Sequence, residues 1–439
     1  MNEFSWEKWL SETGYFGNHN HTEYSNLRLK DCNMKVGALI EQAQKLGLKG
    51  ISITDHECIS GHIDAIIKSK ELQDKGIDFK VALGNEIYLV NSLSEVRDNY
   101  QPGITKFPHF VLTAKNKEGH LALRKLSSVA WGNLFRTGKM ERVCVETSTL
   151  ASIMAEHKGT VIASSACLGG YIGIKFLQYY NTNDATALDD IEQFLNGCKI
   201  VFGEDFYLEL QPSFSEEQIV YNKFLISLSS KHNIKLIYTT DSHYLSKDHR
   251  EVHKAFLLSK EGERELDDFY ASTYVMSTKE VWEYFKDYIS KELFIEMTNN
   301  SLEILDKIDF FDLYHEVVVP QVTIPPFSQD HCLSSKNYEY IQNFATSEHL
   351  IDRYFLFEIA QGLKLKHQEL NEQNLSRIDL ELKEIWLISK KLNQQQSSYY
   401  VLTKDVVDLM GELSLVGVAR GSVTGYYITY LTGFIQLNP

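Results

Sequence analysis

Short apolar runs alternate with longer amphipathic stretches through the first half of the chain. Gly50-Ile51-Ser52-Ile53-Thr54 is one such run. Others are Phe79-Lys80-Val81-Ala82-Leu83, His109-Phe110-Val111-Leu112-Thr113, Val161-Ile162-Ala163, Phe206-Tyr207-Leu208-Glu209-Leu210 and Ile234-Lys235-Leu236-Ile237-Tyr238. Their length and apolar character predict strands. Helical patterns separate most of them. One helix is expected from a cap at Asn33 to Leu46, with Gly47 past its end. Others are expected over 63–75, 189–202 and 217–232. Strands alternating with helices predict an α/β fold with a parallel sheet, open or closed into a barrel.

Beyond residue 265 the pattern changes. Residues 278–308 read as helices rich in aromatic and acidic side chains, and Pro320, Pro325 and Pro326 mark an extended link. Residues 335–392 are again helical, with Ile359, Leu363, Ile378, Leu382 and Ile385 at core spacing. Two domains are therefore expected, 1–265 and 266–439, the second mostly helical.

Composition narrows the function classes. The chain has 439 residues, 43% hydrophobic and 23% charged, which is ordinary for a globular protein with two or three domains. The formal charge of −15 argues against gripping DNA over a broad surface, while leaving room for a local basic groove. No apolar run is long enough to suggest a membrane span, and Met1-Asn2-Glu3-Phe4 does not open a signal peptide. The six cysteines form no Cys-x-x-Cys pair, so a reducing cytoplasm is the expected compartment.

Potential metal ligands sit at or near the ends of the predicted strands. His19 and His21, two residues apart, share one face of an extended segment, and Asp241 and His243 repeat that spacing. His56 and Glu86 each follow an apolar run, His109 opens one, and Asp31 and Cys167 add a carboxylate and a thiol. Each has a plain structural reading: a cap for Asp31 or His56, a solvated carboxylate for Glu86, an interior histidine for His109, a small buried hydrophobe for Cys167. Their recurrence at like positions on successive strands favours one site, because α/β barrels gather their chemistry at one rim. Mixed imidazole, carboxylate and thiolate suits zinc, manganese or iron. Two or three such ions can activate water and clamp the oxygens of a phosphate ester.

His19-Asn20-His21-Thr22-Glu23-Tyr24-Ser25, Ile53-Thr54-Asp55-His56, Gly84-Asn85-Glu86, Ser165-Ala166-Cys167-Leu168-Gly169-Gly170 and Thr240-Asp241-Ser242-His243-Tyr244-Leu245 resemble, in order, the motifs of the PHP (polymerase and histidinol phosphatase) domain. They most resemble that domain in the alpha subunit of bacterial, C-family DNA polymerase III, over residues 15–255. The resemblance implies a distorted barrel holding a multinuclear cluster of two or three divalent metals on His19, His21, Asp31, His56, Glu86, His109, Cys167, Asp241 and His243. It implies a metal-dependent phosphoesterase that in some members removes nucleotides from a DNA 3′ end and in others is structural.

Near the C-terminus, Arg420-Gly421-Ser422-Val423-Thr424-Gly425 sets a cation, glycines and hydroxyls before an apolar run. Glycines let backbone N–H groups approach a phosphate. Residues 417–433 resemble the first palm segment of the same polymerases, which implies triphosphate contacts for Arg420, Gly421 and Ser422. The family's magnesium-holding carboxylates follow that segment, so this chain alone is expected not to polymerise DNA. Magnesium would serve polymerisation only in a complete polymerase. The implied partners are a DNA primer–template, a deoxynucleoside triphosphate, and the remaining polymerase segment or replisome subunits, with no membrane. The rival readings are a stand-alone phosphatase acting on a small phosphate ester and a non-catalytic, metal-stabilised scaffold for polymerase assembly.

Overall fold

The computed structural model describes residues 5–27, 29–138, 140–259, 268–419 and 421–439. The chain packs as two compact units, Met1–Leu313 and Tyr314–Pro439.

Seven strands organise the first unit: β1 (Phe16–Gly17), β2 (Gly50–Ile53), β3 (Lys80–Val90), β4 (His109–Ala114), β5 (Val161–Ser164), β6 (Phe206–Leu210) and β7 (Leu236–Tyr238). They are hydrogen-bonded in chain order, and a further short strand, Val145–Glu146, pairs with the end of β3. The two edges meet. Asn20 and Ser242, just past β1 and β7, form a parallel bridge, and His21 N–H donates to the Ser242 carbonyl at 2.9 Å. The sheet thus curls into a distorted barrel.

Not every strand runs the same way. β4 is antiparallel to both β3 and β5, while the other barrel pairs are parallel. Apolar runs carry no direction, so the all-parallel expectation could not register this reversal. It matters for function: the first residue of β4, His109, reaches the rim that the other strands reach with their last.

β3 also runs past Leu83, the end of the apolar run, through Gly84 and Asn85. Gly84 is a glycine because of crowding. A Cβ there would lie 2.6 Å from both the Leu112 carbonyl oxygen and Thr54 Cγ2. Glu86 is therefore inside a strand that continues to Val90. The second helix begins at Val36 after Lys35, whereas Asn33 N–H is used on the His243 carbonyl at 3.3 Å.

The core of this unit takes in Ile51, Ile53, Leu112, Leu208 and Leu210 from the strands and the apolar faces of the surrounding helices. Helices Thr278–Phe285 and Lys291–Asp306, which the sequence grouped with the second domain, belong here. Phe285, Phe294 and Met297 lie in the same core, and Tyr238 stacks on Phe294 with ring centroids 5.0 Å apart.

Among the described residues, the α-helices of the second unit are Glu339–Ala345, Leu350–Leu365, Glu372–Leu392, Ser397–Leu413 and Tyr427–Leu431. Ile359, Leu363, Ile378, Leu382 and Ile385 are buried in its core, as their spacing predicts. Among the described residues no helix is long and apolar enough to cross a membrane.

Candidate metal centre

Barrel closure brings the two His/Asp-bearing segments side by side. His19 and His21 lie past β1, Asp241 and His243 past β7, His56 past β2 and Cys167 past β5. Glu86 points in from the middle of β3, and Asp31 comes from a loop. Eight of these nine residues are fully or nearly fully buried. His109 is the exception, its side chain 22% exposed.

The donor atoms converge as three groups, the first two sharing His21: His21, His56 and His243; His19, His21 and Asp241; Glu86, His109 and Cys167. His21 Nε2 lies 3.0 Å from Asp241 Oδ1 and 3.2 Å from His19 Nε2. Glu86 reaches His56 Nδ1 at 2.5 Å, His109 Nδ1 at 3.0 Å and His19 Nε2 at 3.3 Å. Asp31 Oδ2 joins the cluster 3.2 Å from His56 Nε2 and 3.6 Å from His243 Nε2.

These distances suit ligands of shared ions. Donors about 2.1 Å from one tetrahedral ion sit about 3.4 Å apart. Both Glu86 oxygens, Asp241 Oδ1 and His56 Nδ1 also find no hydrogen-bond partner among the described residues, although each has a ring nitrogen or carboxylate oxygen in reach. They are close without being aligned, because they aim at common space. Buried polar atoms left in that state are costly, and a divalent cation would satisfy them together.

The electrostatics point the same way. Burial disfavours charge on His56, but Glu86 and Asp31 outweigh it and raise its pKa to about 10. His19 and His243 are raised by neighbouring carboxylates against the same burial penalty. His21, buried and flanked by His56 and His243, falls to about 3. Burial would raise Glu86, yet His109, His56 and His19 hold it well below the usual carboxylate range. Burial, then Asp241 and Glu86, push the Cys167 thiol up. Protons here offset the carboxylate charge that a bound cation would offset in their place.

A surrounding layer fixes the imidazoles. His19 Nδ1 meets Glu209 Oε1 at 2.7 Å, leaving Nε2 for the cluster. Glu209 also accepts from Ser164 Oγ and Thr239 Oγ1 at 2.7 and 2.6 Å. His21 Nδ1 meets Ser25 Oγ at 3.0 Å, and that hydroxyl donates to Asp55 Oδ1 at 2.7 Å. Asp55 accepts from Thr22 N–H as well, at 2.6 Å, which pins the loop after His21. Carboxylate–histidine pairing of this kind sets the tautomer and raises the basicity of a ligand. The sequence reading overlooked Glu209. Its signal was a lone carboxylate in the apolar run Phe206-Tyr207-Leu208-Glu209-Leu210.

Residues 18–213 match the PHP domain. The chain contains a PHP domain. Over 96% of its length it is also homologous to DNA polymerase III alpha subunits, sharing 28% identity over 440 residues with that of Helicobacter pylori (strain ATCC 700392 / 26695) and 24% over 441 with that of Aquifex aeolicus. Identity rises to 42% over 447 residues with the DNA-directed DNA polymerase of Bacillus phage SPbeta, again over 96% of this chain. The chain spans about a third of the length of these relatives, 33% to 34%.

The match to the PHP domain ends before β7, yet Asp241 and His243 complete its cluster. A cavity of about 1030 Å³ opens onto the PHP rim at His109 and Cys167. Among the nine clustered residues those two line it, so a substrate would meet the centre at its Glu86–His109–Cys167 corner.

The Arg420-Gly421-Ser422 segment lies in the second unit. Arg420 is outside the described residues. Gly421 takes φ +72°, which favours glycine, and Gly421 and Ser422 are exposed. The helix that follows does not offer its N-terminus to a ligand. Its Tyr427 and Ile428 N–H groups donate to the buried Glu381 carboxylate at 2.8 Å each.

Proposed function

We propose that this chain is part of a DNA polymerase III alpha-type replicative polymerase whose PHP domain hydrolyses phosphodiesters at DNA 3′ ends with two or three bound divalent metals. The convergence of nine metal-competent side chains on one barrel rim carries this reading. His19, His21, Asp31, His56, Glu86, His109, Cys167, Asp241 and His243 would hold the ions. Zinc, manganese and iron all suit the donor set.

When bound, such ions supply a nucleophilic oxygen near neutral pH and neutralise charge on a phosphate. The protein's part is orientation and exclusion of water. Glu209 holds His19, and the Ser25–Asp55 pair holds His21, so their free nitrogens face inward. The buried walls keep solvent from all but the His109 corner, and in the dry interior they enclose opposite charges interact strongly.

In the full-length enzyme, Arg420, Gly421 and Ser422 would contact the triphosphate of an incoming nucleotide, Gly421 and Ser422 from exposed positions, since Glu381 already fills the helix N-terminus. DNA synthesis belongs, in this reading, to that full-length protein. A soluble, cytoplasmic enzyme working with other replisome subunits fits the same reading.

The test is a 5′-labelled primer–template incubated with the purified chain, with and without manganese or zinc, beside His19→Ala/His21→Ala. Metal-dependent shortening from the 3′ end that the variant lacks supports the proposal. Bound metal without shortening overturns the hydrolytic part and makes the domain a metal-stabilised scaffold.

A further inference from the structure

We propose that Gln211 is a positioning residue for the His19–His21–Asp241 part of the centre, its side-chain amide clamping the two carboxylates that aim His19 and Asp241. This role rests on the metal-binding part of the proposed function.

Gln211 directly follows β6 and is 5% exposed. Its Nε2 lies 3.2 Å from Glu209 Oε1 and 3.4 Å from Asp241 Oδ2. An ionised carboxylate only accepts, so the amide must present its nitrogen here, with one hydrogen for each carboxylate. Glu209 Oε1 is the atom that meets His19 Nδ1 at 2.7 Å. The clamp therefore acts on one candidate ligand through Glu209 and on another directly. Packing alone gives no reason for an amide at this place, since a methionine would fill it with no polar group to satisfy.

Asp241 needs such a hold. Its φ of +44° is a left-handed backbone, uncommon outside glycine, which persists where the surroundings fix it. With Oδ2 engaged by Gln211, Oδ1 is left 3.0 Å from His21 Nε2 and 3.3 Å from His19 Nε2. Without the amide, the carboxylate could turn either oxygen, or both, toward an ion.

The clamp is itself anchored. Gln211 N–H donates to Asn222 Oδ1 at 3.3 Å, and Asn222 Nδ2 donates back to the Gln211 carbonyl at 2.8 Å. Asn222 is fully buried. Its Nδ2 also donates to the Tyr288 hydroxyl at 2.9 Å, and its Oδ1 also accepts from Gln218 Nε2 at 3.0 Å. Both hydrogens and both lone pairs of that amide are thus used, and a satisfied buried network of this kind holds one arrangement.

The test titrates the purified full chain with cobalt(II), beside Gln211→Met, a side chain of similar length without N–H donors. Two absorptions report on two places. Charge transfer from the Cys167 thiolate marks the Glu86–His109–Cys167 corner, and the d–d bands follow all bound cobalt. In Gln211→Met one increment of the d–d absorption should need about 10- to 100-fold more cobalt. The charge-transfer band should rise at the same cobalt concentration as in the parent, and the metal-free Tm should be unchanged. Added to Glu209→Ala, Gln211→Met should cost less than it costs alone, because one of its two partners is already gone. Coincident titrations of Gln211→Met and the parent overturn the proposal. So does a lower metal-free Tm with both absorptions weakened alike, which would make Gln211 a residue of the fold only. A full additional loss in the Glu209→Ala background would overturn the shared clamp. No cobalt uptake by the parent would remove the metal-binding reading and this role with it. Selective loss in Gln211→Met, from a parent that binds cobalt but shortens no DNA, keeps the clamp and removes the nuclease.

Discussion

Glu209 Oε1 lies 2.7 Å from Nδ1 of His19, and both side chains are fully buried. The contact fixes which imidazole nitrogen faces the cluster. Glu209→Ala should therefore weaken metal binding about 10- to 100-fold while leaving the candidate ligand set unchanged. Competition with a chromophoric chelator measures this. An unchanged affinity would show that packing alone orients His19.

Metal should also stabilise the fold, because the cluster draws on both ends of the barrel. At a free concentration one hundred times the dissociation constant, one site contributes about 2.7 kcal/mol. Thermal unfolding in zinc or manganese against a chelator should show the corresponding rise in Tm. In His19→Ala/His21→Ala the rise should shrink or vanish. An equal rise in that variant would place the stabilising ion elsewhere.

Gly84→Ala should destabilise the first unit by about 1–3 kcal/mol, the usual cost of overpacking. The added methyl meets the Leu112 carbonyl and Thr54 at 2.6 Å, and the shift would pass along β3 to Glu86. Urea denaturation gives the stability and chelator competition the metal affinity. A neutral result on stability would mean that the β3–β4 pair has slack.

A pH effect is expected away from the cluster. His62 Nε2 donates to the Gly84 carbonyl at 2.7 Å, so its Nδ1 accepts from His120 Nε2 at 3.1 Å. Burial lowers His62 to about 4, and burial together with the charge of His62 lowers His120 to about 3. The unfolded chain takes up these protons near pH 6.5 and the folded chain does not. Stability from this pair is therefore complete above pH 6.5 and declines as pH falls toward 4. His62→Gln should flatten the stability profile between those limits. Parallel profiles for parent and variant would refute the assignment.

In the second unit, Glu381→Ala removes two hydrogen bonds to a charged group, each worth about 1.5–3 kcal/mol. Hydrogen exchange at the Tyr427 and Ile428 amides should accelerate, and slow exchange there would indicate other acceptors.

Much of this was legible in the sequence, for a physical reason. Buried strands leave continuous apolar runs, and a chemical side chain next to such a run stands out. His56 beside Ile51 and Ile53, and Cys167 beyond Val161-Ile162-Ala163, could be found that way. Direction and closure left no such mark. The reversal of β4 shows only in its pairing with β3, which Gly84 lets approach closely, a contact between residues far apart in the chain. Glu209 was hidden by the same logic that exposed the others: a carboxylate inside an apolar run looks like a solvent-facing residue until the opposite face is known to be buried. Asp31 reaches the cluster from a loop with no periodicity to report it, held by Asn26 Oδ1 and by His253 on its carbonyl.

The bridge between Asn20 and Ser242 has a bearing on how the protein is made. A chain emerging from the ribosome presents His19 and His21 early, but their partners Asp241 and His243 arrive only after the other barrel strands have been synthesised. Contacts of such long sequence separation form late and slowly. Until the last strand docks, the early histidines stand without the groups that complete their donor set, so tight ion capture would come as the final act of folding and would certify that the ring had shut.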